Sequence, residues 1–173
     1  MEQFNYNEIS YRCINGYWVD TDGIVLPDAM QRKMNFRFEQ YLVVSSLSAE
    51  EAIKLGDEFR NSSSFNLAVK YYEHASKSAP KMTLAYILPR LTSCYRSMGF
   101  PQKAIDILTY ASKKYGPDII SVPLLTSAAA AYCDMGDYVR ARQCCNRAYF
   151  HSNKNPSNEL RMVYKSIESE ENK

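Results

Sequence analysis

Residues 56–80 read GDEFRNSSSFNLAVKYYEHASKSAP, and this stretch decides the fold because its pattern returns twice further along the chain. Ala68 lies within it, and equivalent alanines follow at Ala104 and Ala141, after steps of 36 and 37 residues. Self-similarity at such a period is typical of helical repeat arrays, in which each unit buries its apolar face against its neighbours. The sequence therefore predicts a mainly α protein that forms an α-α superhelix.

Capping and stop signals divide the repeat region into helical hairpins. Ser48 and Glu51 have the spacing of a capping box, which predicts a helix start. The predicted helices, in three consecutive pairs, span about 49–61 and 65–79, 85–98 and 101–115, and 122–135 and 138–152. Pro89 predicts a late start or a bend in the third of them. A closing helix over 157–168 is expected to cover the last apolar face, and we expect the residues from Glu168 onward to fray.

Residues 1–47 have a different pattern and are predicted to form a separate unit that packs on the array. Asn15-Gly16 between aromatic and β-branched runs predicts a β-hairpin, and residues 24–26 are candidates for a third strand, which would make a small meander. Asp28 is expected to cap a helix over about 28–46. The residues expected to be buried along this helix are Met30, Met34, Phe36, Phe38 and Leu42.

Tyr17 and Trp18 on the predicted hairpin allow two interpretations. They could form a patch that faces a partner. Alternatively, at least one of the two rings packs onto the following helix near Met34 and Phe38.

Charge and composition argue against several classes of protein. The net charge is +2 over 173 residues, with −2 in residues 1–47, +5 in 48–156 and −1 in 157–173, which is too little to predict nucleic-acid binding. No apolar run approaches the roughly 18 residues of a membrane-spanning helix, and no charged-then-apolar leader opens the chain. We therefore expect a cytoplasmic protein that does not cross a membrane.

The chemistry-bearing residues form no pattern of a catalytic or metal site. Five cysteines, an odd number without C-x-x-C spacing, argue against a disulfide framework or a zinc site and predict buried, reduced thiols. Glycine-rich phosphate loops, nucleophile elbows and paired acids are not recognisable. The expectation is a protein without cofactor, metal or catalytic residues.

The hairpins resemble tetratricopeptide repeats, with three repeats at about 49–82, 85–118 and 122–155 and the usual extra helix after them, so that the array covers residues 48–173. In this family, small residues let the helices of a hairpin approach and larger ones fill the gaps between hairpins. The matching positions are Leu55, Gly56, Phe59, Ala68, Tyr72, Ala75 and Pro80, then Leu88, Leu91, Tyr95, Ala104, Leu108 and Ala111, and finally Leu125, Ala128, Ala129, Tyr132, Ala141 and Ala148.

The resemblance implies a function as a non-catalytic adaptor or scaffold, because the first helices of such repeats line a concave groove that binds a peptide or helix of a partner protein. The groove residues implied here are Ile53, Asp57, Arg60, Asn61, Tyr86, Ser93, Arg96, Ser97, Thr126, Ala130, Cys133 and Asp134. One subtype of the family grips the C-terminal carboxylates of a chaperone with Lys, Asn and Arg. Those places hold Ile53, Asp57, Pro123 and Ser127 in this sequence, so that clamp is absent.

Two other functions stay open on the sequence alone. The chain is similar in length to small bacterial chaperones for secreted proteins, which also have three such repeats, although it is slightly basic and begins with a hairpin. It could also be a regulatory subunit of a nucleic-acid-linked complex, in which case binding would weaken steeply with salt. Self-association into a homo-oligomer is a further open outcome.

Overall fold

The computed structural model describes residues 2–171 of the chain, and side chains from residue 3 to residue 170. Contacts between residues divide the chain into an N-terminal unit, Met1–Leu47, and a C-terminal unit, Ser48–Lys173. Each unit has a hydrophobic core of its own. Trp18 and Met34 belong to the first core, and the second includes the buried leucines and alanines between Leu124 and Ala131.

The N-terminal unit is a three-stranded antiparallel sheet followed by one helix. The strands β1 (Glu2–Tyr6), β2 (Ile9–Ile14) and β3 (Tyr17–Val19) lie in the order β1-β2-β3, and helix α1 spans Asp28–Ser45. In the turn between β2 and β3, Asn15 and Gly16 both have positive φ, 50° and 83°. This geometry matches the right-handed twist of the two strands, and the predicted hairpin is confirmed.

The third strand lies before the hairpin and not after it. Residues 24–26 were expected to pair as a strand, but only Val25 forms an isolated bridge, with Val19. Strand β1 instead pairs with β2 along its full length. The sequence contains no glycine that would predict the turn between β1 and β2. Asn7 and Glu8 take positive φ there, 50° and 67°, a conformation that glycine adopts most readily.

Trp18 forms the centre of the N-terminal core. Its side chain is 1% exposed, and its ring centroid lies 5.1 Å from that of Phe38, in an edge-to-face arrangement. Tyr11 and Met34 complete the buried cluster. The indole Nε1 donates a hydrogen bond of 2.7 Å to Asn35 Oδ1, so the one polar group of the ring is satisfied on burial.

Helix α1 differs from its prediction in two respects. Pro27 occupies the capping position and Asp28 is the first helical residue, so the Asp28 side chain does not cap the helix. Phe36 and Leu42 were expected to be buried but are 57% and 47% exposed. Met34 takes the side that faces the core, and a residue two positions away lies on the opposite side of a helix.

The C-terminal unit consists of helical hairpins packed side by side, as predicted. Its helices are α2 (Ala49–Asn61), α3 (Phe65–Ser78), α4 (Lys81–Ser97), α5 (Pro101–Tyr115), α6 (Val122–Asp134), α7 (Tyr138–His151) and α8 (Asn158–Glu171), with a 3-10 turn at Pro117–Ile119. Helix α2 packs on α3, α4 on α5 and α6 on α7, while α4 and α6 also contact each other and α8 covers α6 and α7.

Two helix ends differ from the prediction. Helix α4 begins at Lys81 and not near 85, because Pro80 has the extended conformation of an N-cap, and the helix then continues through the buried Pro89. Helix α8 continues to Glu171, past the point where fraying was expected. Residues 172 and 173 lie outside the described part of the chain.

Small residues stand where the helices of each hairpin meet. Ala68, Ala104 and Ala141 are fully buried, in agreement with the period that defined the repeats. The tightest approach is at Gly56 on α2, where an added Cβ would lie 2.7 Å from Cε1 and 2.9 Å from Cδ1 of Tyr72 on α3. Glycine is therefore required at this position by the ring that packs over it.

The cap at the start of α2 follows the prediction, but only Cys94, Cys144 and Cys145 of the five cysteines are buried, while Cys13 and Cys133 are partly exposed. Ser48 and Glu51 form the reciprocal capping box at the start of α2. All five cysteines are free thiols, and burial raises the pKa of Cys94 to about 11 and that of Cys145 to about 12.

Within residues 2–171, no helix has the length and apolar composition needed to cross a membrane.

We predict that Gly56→Ala destabilises the C-terminal unit by about 1–3 kcal/mol, the usual cost of overpacking a core. A loss of stability would be informative, because a change from glycine to alanine in a helix interior normally raises the free energy of unfolding by about 1 kcal/mol. The measurement is urea unfolding followed by far-UV circular dichroism.

The control is the same substitution in a Tyr72→Leu background. Without the ring over Gly56, the added methyl group no longer clashes and the substitution should become stabilising. An equal loss of stability in both backgrounds would contradict the proposed contact.

Candidate functional site

The carboxylate of Asp57 connects three helices of the first two hairpins. Asp57 lies on α2. Its Oδ1 accepts hydrogen bonds from Tyr72 Oη of α3 at 2.6 Å and from Arg90 Nε of α4 at 3.2 Å. Its Oδ2 accepts a hydrogen bond from Tyr86 Oη, also of α4, at 2.7 Å. Charge-assisted bonds of this kind are stronger than neutral ones, so Asp57 fixes the position of α4 relative to α2 and α3.

Arg90 holds the ring of Tyr86 in place. The guanidinium Cζ lies 3.3 Å from the centroid of the Tyr86 ring, and Arg90 Nη1 donates a hydrogen bond of 3.0 Å to the Tyr86 carbonyl oxygen. A guanidinium stacked on an aromatic face is a favourable cation–π contact. Tyr86 as a whole is 41% exposed, so part of it remains accessible beside the Arg90 contact.

Hydrogen bonding keeps Asp57 ionised. Burial by itself would raise the pKa of its carboxyl group, but the hydrogen bonds from Tyr72 and Tyr86 and the charge of Arg90 lower that pKa below its ordinary value of 3.8. Burial and the neighbouring carboxylate raise the pKa of Tyr72, so the tyrosine remains a donor.

A second contact joins α4 to α6. Arg96 Nε donates to Asp134 Oδ2 at 2.7 Å, and Arg96 Nη2 to Asp134 Oδ1 at 3.4 Å, so the ion pair is bidentate. The Asp57 and Arg96 contacts together connect α2, α4 and α6, the first helices of the three hairpins.

A pocket of about 440 Å³ lies beside this ion pair. Its lining residues are Arg96, Ser97, Gly99, Pro101 and Asp134. Gly99 has a φ of +80° in the tight turn from α4 to α5, which brings Pro101 close to Ser97 and Arg96. The pocket therefore presents a guanidinium, a carboxylate and a hydroxyl group beside the pyrrolidine ring of proline.

Ten of the twelve predicted groove residues are half-buried or exposed side chains of α2, α4 and α6, and we call this set the first-helix face. Its members are the half-buried or exposed residues of the prediction, namely Ile53, Asp57, Arg60, Asn61, Tyr86, Ser93, Arg96, Ser97, Cys133 and Asp134. The contacts described above bring Asp57 together with Tyr86, and Arg96 together with Asp134.

Two predicted groove residues cannot contact a ligand. Thr126 and Ala130 are 1% and 6% exposed, because α6 is surrounded by α4, α5, α7 and α8. The Thr126 hydroxyl donates to the Val122 carbonyl oxygen of its own helix at 2.9 Å. The prediction for these two residues is wrong, since helical spacing alone does not show how closely the neighbouring helices pack.

The proposed partner patch of Tyr17 and Trp18 is also not formed. Trp18 lies in the core of the N-terminal unit, against Phe38 and Met34, which is the alternative interpretation of the sequence. Tyr17 is 60% exposed on the other side of the strand. Successive residues of a strand point to opposite faces, so these two rings cannot form one surface.

Tyr72 and Arg90, which hold Asp57 and Tyr86 in place, were not among the predicted groove residues. The spacing of Tyr86 and Arg90, four residues apart on one helix, was a local signal for their contact. The meeting of Asp57 with Tyr72 and Arg90 had no such signal, because it depends on the packing of separate helices.

The positions of the chaperone-tail clamp remain unsuited to a carboxylate. Asp57 is an anion at one of them, and Ser127 at another is buried, with 4% exposure.

Within residues 2–171, no group of three His, Cys, Asp or Glu side chains is arranged to hold a metal ion.

Comparison with known proteins identifies the fold. The crystal structure of the Sgt2 TPR domain from Aspergillus fumigatus superposes with a TM-score of 0.62 and 16% sequence identity, over 70% of this chain and 78% of that chain. No protein-family model matches the chain, and no curated protein matches its sequence.

At 16% identity the similarity shows the fold alone. The chain is a tetratricopeptide-repeat-like helical protein with a small N-terminal sheet, which confirms the predicted fold class. The number of repeats stays a prediction.

We predict that Asp57→Asn lowers the free energy of unfolding by about 2 kcal/mol at pH 7, the scale of hydrogen bonds to a charged group. Because folding lowers the pKa of Asp57, its contribution is fully present above pH 3.8 and is lost as the pH falls through the lower folded-state value. The difference in stability between wild type and variant should therefore shrink below pH 3.8.

The measurement is denaturant unfolding of both proteins from pH 7 to pH 2.5. Asp106→Asn is the matched control, since Asp106 is exposed on α5, where it accepts a hydrogen bond from the exposed Gln102 side chain, and this variant should lower the stability at pH 7 much less than Asp57→Asn. A constant difference for Asp57→Asn across the whole range would contradict the stated role of its charge.

Proposed function

We propose that this chain is a non-catalytic adaptor of the cytoplasm, which binds a peptide or helix of another protein along the first-helix face. In this proposal residues 48–173 are an array of three tetratricopeptide repeats with a closing helix, and residues 1–47 form a separate domain.

The observation that supports the proposal is that side-chain contacts link the three first helices, α2, α4 and α6. Asp57 binds Tyr86 and Arg90 across the first junction, and Arg96 binds Asp134 across the second. Fixed side chains lose little entropy when a ligand contacts them, which favours a preorganised binding surface.

The chemistry of the face suits a mixed peptide segment. The exposed part of Tyr86 offers an apolar and aromatic contact, and Ser93, about two helical turns further along α4, offers a hydroxyl group. The pocket at Arg96 and Ser97 can receive a polar side chain. Peptides bound in such grooves are held by a few apolar anchors and by hydrogen bonds from the polar groups around them.

The test begins with selection of binding peptides from a random displayed library on the immobilised full chain, beside affinity purification of the tagged chain from its host. The affinities of selected peptides are then measured by fluorescence anisotropy for wild type, Arg96→Glu, Tyr86→Ala and Ser97→Trp. We expect each variant to weaken binding at least tenfold, which is about 1.4 kcal/mol.

The matched control is Arg147→Glu, a charge reversal at an exposed position of α7, which should change affinity less than twofold. Thermal unfolding checks that each variant is folded. If folded variants of the face keep full affinity, the proposal is wrong. Binding that falls steeply with salt and is displaced by nucleic acid would instead favour the nucleic-acid-linked alternative.

A further inference from the structure

The two edges of the N-terminal sheet differ in how their backbone groups are used. On the β3 edge, the Trp18 N–H donates to Gln31 Oε1 at 2.8 Å, and the Trp18 carbonyl oxygen accepts from the Leu26 N–H at 2.9 Å and from Gln31 Nε2 at 2.8 Å. The outward-pointing groups of β3 are thereby satisfied within the chain, and this edge is closed.

The opposite edge is formed by β1, and within residues 3–170 its Gln3 and Asn5 are both exposed. In an antiparallel pair every second residue points its N–H and C=O away from the partner strand. Tyr6 and Ile9 flank a two-residue turn and form a hydrogen-bonded pair, so the outward groups belong to Gln3 and Asn5. The same alternation applies to β2 and β3. Ile14 and Tyr17 flank the turn there, so the next residue, Trp18, points its N–H and C=O groups outward.

Strand β1 has no feature that blocks pairing with another strand. Natural edges are commonly protected by proline, lysine or a bulge, and the segment from Gln3 to Tyr6 contains none of these. An uncovered aromatic surface lies next to the same strand. The half-buried Phe4 contacts Tyr41 of α1, with ring centroids 5.5 Å apart, and Tyr41 is 47% exposed.

We propose that the β1 edge binds the β1 edge of a second copy of this chain, which makes a six-stranded antiparallel sheet across a two-fold axis. Gln3 of each copy then lies opposite Asn5 of the other, and the N–H and C=O groups of these residues form the new hydrogen bonds. Phe4 lies on the axis, where its ring and that of Tyr41 meet their equivalents and become buried.

The occupant is a second copy because the edge is complementary to itself. The outward groups are placed symmetrically about Phe4, so a two-fold axis through this residue pairs every one of them. The facing side chains of Gln3 and Asn5 are both neutral amides, which avoids like charges across the new pair. The small core of this unit, built on Tyr11, Trp18 and Met34, also gains apolar burial from the pairing.

Multi-angle light scattering of the full chain over about 1–200 μM tests the pairing. We expect the molar mass to rise with concentration from the 19.9 kDa of one chain towards twice that value. A mass of one chain at every concentration would overturn the proposal.

The decisive variant is Asn5→Pro, which removes an outward N–H and places a ring on the edge, while the bonds from β1 to β2 remain. It should stay at the mass of one chain. Asn5→Thr keeps the N–H and is the matched control, which should dimerise like wild type. Asn5→Lys provides a second variant that retains the backbone donor, and its charge near the axis should weaken the dimer at least tenfold.

Trp18 is the single tryptophan of the chain and is buried in this unit, so its fluorescence emission reports whether the sheet is folded. If Asn5→Pro and Asn5→Lys both keep the blue-shifted emission of wild type and still dimerise as wild type does, the dimer uses another surface and the proposal is wrong.

Discussion

The junction of α2, α3 and α4 depends on one close contact, that of the Tyr72 ring with Gly56. Glycine lets α3 approach α2, and the ring fills the space that a side chain on α2 would otherwise occupy. The same ring carries its hydroxyl group to Asp57, one residue further along α2, so packing and hydrogen bonding act on the same pair of helices. A buried phenol has to find an acceptor, and here the acceptor is a carboxylate that also binds the next hairpin.

This arrangement links the stability of the fold to the shape of its surface. Asp57 accepts a hydrogen bond from Tyr72 and also binds Tyr86 and Arg90. The exposed ring of Tyr86 is therefore positioned by the packing of α3 against α2. The ion pair of Arg96 with Asp134 likewise fixes two surface side chains at the junction of α4 and α6. Under the proposed function, side chains fixed in this way would reduce the entropy lost when a ligand binds.

The N-terminal unit follows a different principle, in which one indole ring organises a small sheet and a helix. Trp18 provides apolar area to the core, while its backbone groups are taken up by Gln31 and Leu26. That use closes one edge of the sheet and leaves β1 as the other edge. The asymmetry of the two edges therefore results from where α1 and the segment before it lie relative to β3.

The sequence by itself determined the helical hairpins, through the period of the alanines and the capping box of Ser48 with Glu51, and the β-hairpin, through its Asn15-Gly16 turn. These are local signals with local physical causes. Only the tertiary structure decided which candidate residues remain accessible. Thr126 and Ala130 have the spacing of groove residues but are covered by neighbouring helices, and Trp18 is covered by α1. Burial depends on contacts between segments far apart in the chain, and neither period nor spacing contains that information.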